Sequence, residues 1–182
     1  MKKLLLLAPL ALSACNSGPS VEATNASAKE VAEKVAASGG AISLSPGRWE
    51  GTATVTNLEM PGVPPEVAAK MKEGLAKAHK FASCLTPEQA RKPAADFFSG
   101  DNQNCRYDHF TMANGRIDAK MQCKNGGVTT DATMSGQFAS DNFAMTMTSK
   151  SAGVAGQPMS AGTMTLKMES HRTGECKGDE KS

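Results

Sequence analysis

The feature that most limits what this chain can become is a train of alternating segments, cut by short turn pairs, between Cys105 and Cys176. Asn114-Gly115 and Asn125-Gly126 are favoured two-residue hairpin turns, because Asn and Gly tolerate the positive φ such turns require. Ser140-Asp141 divides two further alternating runs. A side-chain period of two with one apolar side demands an antiparallel sheet that buries one face.

The turns set the registers. The first pairs Met112 with Ile117 and Phe110 with Ala119. Centring the second on Asn125-Gly126 pairs Lys124 with Gly127, Cys123 with Val128, Ala119 with Ala132 and Ile117 with Met134. The third pairs Phe138 with Phe143, Gly136 with Met145 and Met134 with Met147. Met164, Leu166 and Met168 continue the apolar side, while Thr129, Thr133, Thr146, Thr148, Thr163 and Thr165 line the other. Upstream, Trp49, Gly51, Ala53 and Val55 alternate with Glu50, Thr52, Thr54 and Thr56. Registers that agree across successive strands specify a fold better than any one strand does.

Helical segments interrupt this pattern. Pro64-Pro65 suits a helix start, and Val67, Met71, Leu75 and Ala78 then fall on one face. Thr86, Pro87 and Gln89 have the spacing of a second, shorter capped helix that Pro93 ends. The expectation is a mainly β (α+β) domain: a curved antiparallel meander sheet or small barrel, covered by one longer and one short helix.

The N-terminus carries an address. Lys2 and Lys3, an apolar run from Leu4 to Leu12, and small residues Ser13 and Ala14 form the three parts of a secretory signal over residues 1–14. That run is far shorter than the roughly 20 residues that cross a bilayer. Leu12, Ser13, Ala14 and Cys15 resemble the lipobox of bacterial lipoproteins, in which the cysteine receives a diacylglycerol and becomes an acylated N-terminus. The resemblance implies a membrane partner through a lipid anchor at Cys15. Asn16, where lipoproteins kept in the inner membrane typically carry Asp, favours the outer membrane facing the periplasm.

Removing residues 1–14 takes Lys2 and Lys3 from the 20 basic residues and nothing from the 18 acidic ones, so the remaining chain has no net charge. A neutral balance gives no electrostatic basis for a nucleic-acid partner. Residues 15–45, rich in Ala, Ser, Gly and Glu, read as a lipidated cysteine on a flexible tether, with a short helix signalled by Ser27 and Glu30 at capping-box spacing. Residues 46–182 read as the folded domain.

An exported chain with Cys84, Cys105, Cys123 and Cys176 beyond the lipidated one is expected to form two disulfides out of three connectivities. The first hairpin register puts Cys123 on the apolar face and Cys105 on the opposite one. Cys176 has the parity of Met168. The expected bridges are therefore Cys123 with Cys176 and Cys84 with Cys105.

With these residues placed, a likeness emerges. Pro46, Gly47, Arg48, Trp49 and Glu50, then Cys84 to Glu88, Cys105, Cys123 and the closing Gly174, Glu175 and Cys176 resemble the domain-of-unknown-function 3617 family of bacterial envelope proteins. The resemblance implies export and supplies no catalytic residues.

Chemical motifs are few. His79, His109 and His171 have no second ligand at metal-binding spacing, and no nucleophile elbow, phosphate loop or paired-carboxylate motif occurs. The chain reads as a non-enzyme without a cofactor. Eight aromatic residues against 11 methionines leave much of the core to thioethers, which fill irregular spaces. Met134, Met145, Met147, Met164 and Met168 share one expected face. That face suits packing, an apolar ligand or, through soft sulfur ligands, Cu(I). Binding of an apolar small molecule or an envelope protein partner is the expected role, beside that of an accessory module.

Overall fold

The structure, a computed structural model, describes residues 20–38, 44–91, 104–153 and 161–180. The expected signal, Cys15 and Pro93 lie outside them. The described chain runs β1 (Val21–Ser27), α1 (Ala28–Ala37), β2 (Gly47–Glu59), α2 (Pro65–Leu75), β3 (His79–Leu85), α3 (Pro87–Arg91), β4 (Cys105–Ala113), β5 (Arg116–Asn125), β6 (Val128–Phe138), β7 (Asn142–Ala152) and β8 (Gly162–Gly174). The strands form one open antiparallel sheet in the order β1-β4-β5-β6-β7-β8-β2-β3. This is the expected meander, left unclosed.

The first and third hairpins have the expected registers, with Met112 opposite Ile117 and Met134 opposite Met147. The second differs. Its turn is Gly126-Gly127, at φ +55° and +83°, so Asn125 faces Val128, Ala119 faces Met134 and Ile117 faces Gly136. Two adjacent glycines supply both positive φ values without a Cβ clash, and they win over Asn-Gly one residue earlier. The slip is two residues, so every side chain keeps its face.

A bulge has a larger consequence. β4 and β5 lose register between Tyr107 and His109, where Asp108 is the additional residue. Above the bulge Phe110 and Met112 point into the core; below it, parity is reversed, so Cys105 and Tyr107 point in as well. β1 makes the same slip at Asn25, φ +52°, so that Ala23 faces Phe110 and Ala26 faces Tyr107. Cys105 therefore lies directly opposite Cys123 on the apolar face, and these two are bonded.

The disulfides are Cys105–Cys123 and Cys84–Cys176, which corrects the expected pairing. Cys84 is opposite Arg48 on the β3 edge. The chain beyond β8 turns at Gly174, φ +146°, and parity counted from Met168 no longer applies there.

The region expected as a tether is also corrected. Residues 21–37 form a strand in the sheet and a helix upon it. Ser27 accepts from the Glu30 N–H at 3.2 Å while its own N–H donates to the Glu30 carboxylate at 2.6 Å, a reciprocal cap. The Ser27 backbone N–H holds the Glu30 carboxyl below its ordinary pKa. Val31 and Val35, one turn apart, are 0% and 1% exposed and meet Val21, Ala23, Phe110, Met112, Ile117 and Ala119. Isolated in water such a helix would be marginal; packing on the sheet stabilises it. By contrast α2 buries no residue, and Val67 is 46% exposed. The element covering the sheet is thus α1, not the longer helix expected for that role.

Candidate functional site

The apolar face divides into two regions. Over β1, β4 and β5 it is closed by α1, and this is where the core cluster lies. Over β6, β7 and β8, among the described residues, no helix makes an extensive contact: α1 contacts β1 and β4, and α2 contacts β2. Pairing across β6, β7, β8 and β2 builds the second region in rows.

The lowest row is Phe138, Phe143, Ser170 and Gly51. Trp49, 3% exposed, closes that end, stacking at 6.2 Å on Phe143 and donating its indole N–H to the Ser45 carbonyl at 3.0 Å. Ser170 is buried and donates to the Glu50 carbonyl at 2.9 Å. Gly51 is required here because a Cβ would fall 2.6 Å from the Phe81 ring and 2.5 Å from the Glu169 carbonyl. Next come Gly136, Met145, Met168 and Ala53, then Met134, Met147, Leu166 and Val55, then Ala132, Ser149, Met164 and Leu58. A bulge at Thr56 keeps Leu58 on the same side as Val55. The uppermost row holds Thr130, Ser151 and Gly162, with the Thr130 and Ser151 hydroxyls 3.0 Å apart.

All five methionines singled out in the sequence thus lie on one face, and the structure sets Met134 beside Met147 and Met145 beside Met168. Met145 is 4% exposed; Met134, Met147, Met164 and Met168 are only partly buried. Among the described residues of these rows no side chain is charged, and His79, opposite Ala53, is the titratable group at their β3 edge. Such a surface interacts by apolar contact.

The lower rim carries the chemistry that sequence reasoning missed. Arg48 donates to Glu50 at 2.8 Å, Asp179 at 2.5 Å and Glu180 at 2.8 Å. Glu180, 2% exposed, also accepts from the Lys177 and Gly178 N–H groups at 2.8 Å. The Lys177 N–H, with Arg48 and Gly178, holds its carboxyl down at about 2. The residues after β8 form a strap locked to Arg48 and, through Cys176, to β3. Gly47, φ +133°, admits no Cβ, which would lie 2.3 Å from the Gly174 carbonyl. The Pro-Gly-Arg-Trp run is therefore a structural clasp. Arg48 gives no hint of it in sequence, because two of its acidic partners, Asp179 and Glu180, lie 131 and 132 positions away.

The polar face offers a cleft of about 740 Å³ near Glu50, Lys80, Glu169 and His171. Glu50 is already committed to Arg48, which lowers its pKa, and Glu169 to Lys167 at 2.9 Å. His109, on the same polar face, donates from Nε2 to the Asp118 carboxylate at 2.7 Å. Among the described residues no group of three His, Cys, Asp or Glu could hold a metal ion, and no helix is long and apolar enough to cross a membrane.

The family model described as a protein of unknown function, DUF3617, matches residues 44–176, and the chain belongs to that family. No curated protein and no solved structure matches it.

Proposed function

We propose that this is a lipid-anchored protein of the bacterial envelope, held by Cys15 in the outer membrane facing the periplasm, that works without catalysis by binding an apolar ligand on its methionine face. The observation that carries the reading is the contrast within one face: α1 seals β1, β4 and β5, whereas Met147, Leu166 and Met168 stay partly exposed. Thioether side chains adapt to varied apolar shapes. At about 0.8 kcal/mol per buried methylene, about ten methylenes laid on this face provide about 8 kcal/mol gross, enough to exceed the lower estimates of association cost. The lipobox resemblance supports the anchor.

Intact and native mass spectrometry of the chain extracted from membranes tests both parts. Acyl mass on an N-terminal Cys15 and a retained lipid-sized adduct are expected. An unmodified Cys15 contradicts the anchor, and a copper adduct in place of lipid contradicts the ligand class.

A further inference from the structure

The methionine face changes character along its strands. The Met145 and Met147 rows are wholly apolar; beyond them Ser149, then Thr130 and Ser151, add hydroxyls. The apolar part spans β6 to β2, three strand spacings of about 4.8 Å, so it is about 14 Å wide. That width suits two extended chains side by side better than one. The hydroxyl rows carry no cation of the same parity, so they suit a polar linkage and not a free carboxylate.

Location supplies the second argument. Because β1 begins at Val21, only five residues separate it from Cys15, and even fully extended they span about 20 Å. A domain held so close meets the lipids of its own membrane at high local concentration. We infer that the methionine face binds one diacyl phospholipid from the membrane that anchors the protein, its chains over Met147, Leu166 and Met168 and its ester region at Ser149 and Ser151. This inference rests on the apolar-ligand reading and on the anchor.

The test uses the chain both as extracted from membranes and as exported without lipid by an ordinary secretory signal. Each is incubated with vesicles of phosphatidylethanolamine and phosphatidylglycerol, or with palmitate alone, re-isolated and measured by native mass spectrometry. One phospholipid per chain and no retained palmitate are expected. Met147→Glu should lower phospholipid occupancy at least tenfold, while Thr146→Glu, on the opposite face, leaves it unchanged; intact disulfides and an unchanged circular dichroism spectrum verify folding. A bare mass, palmitate capture alone, or equal capture by Met147→Glu overturns the inference. Cys15 acylation is read separately from the intact mass of the extracted chain, so failure of the anchor and failure of phospholipid capture are told apart.

Discussion

The two ends of one sheet face solve the same problem differently. Over β1, β4 and β5 the apolar residues are buried by a helix from the same chain: Phe110, Met112 and Ile117 are all at most 2% exposed. Over β6 to β2, residues of the same type at the same parity, including Met134, Met147 and Leu166, stay partly exposed. The first region stabilises the fold, and the second contributes less to it because its apolar side chains keep part of their surface in water. The difference lies in what crosses the face, not in composition.

Disulfides sharpen the comparison most. Replacing Cys84 and Cys176 with Ser opens a 92-residue separation and should cost about 4.6 kcal/mol by the loop-entropy estimate. Replacing Cys105 and Cys123 opens 18 residues and should cost about 3 kcal/mol. Urea unfolding that ranks them in reverse would mean that the strap adds little to the open region. Phe110→Ala, in the sealed region, should cost about 3 to 5 kcal/mol. Leu166→Ala in the open region should cost about 1 to 2 kcal/mol, because part of that side chain is already in water. Equal losses would show that the open rows are covered in solution. Ser27→Ala removes the cap of α1 and should cost about 1 kcal/mol. No loss would return residues 21–37 to the status of a tether.

The smallest effect is a pH dependence. Glu180 titrates near 2 in the folded chain and higher when unfolded, so it binds fewer protons when folded. Its contribution is present above the ordinary carboxylate range and is lost as pH falls toward 2. Thermal melting from pH 5 to pH 3 should therefore decline less in Glu180→Gln than in the parent chain.

Much of the sheet was legible because turn chemistry fixes parity locally. Asn114-Gly115 and Ser140-Asp141 placed the strand residues from Phe110 to Met147 on the right face, and the two-residue slip at Gly126-Gly127 changed partners without changing faces. The bulge at Asp108 was not legible, since nothing in Tyr107-Asp108-His109 distinguishes an additional residue from a continuing alternation, and it reversed the parity of Cys105 and so the disulfide assignment. Residues 21–37 were misread for a related reason. Their small side chains resemble a linker, and only contact with Phe110 and Met112 makes Ala23, Val31 and Val35 a core. The methionine face was visible in sequence, but its lack of cover was not, because that depends on where α1 and α2 pack.

The most direct test of the account is a methionine oxidation footprint of the folded chain, exported without lipid, with and without vesicles of phosphatidylethanolamine and phosphatidylglycerol. Met112 in the sealed region, 1% exposed, should resist peroxide in both states, and Met147 and Met168 should oxidise alone yet be protected once vesicles are added. Resistance of Met147 and Met168 without lipid, or oxidation that vesicles leave unchanged, would contradict an open lipid-binding face.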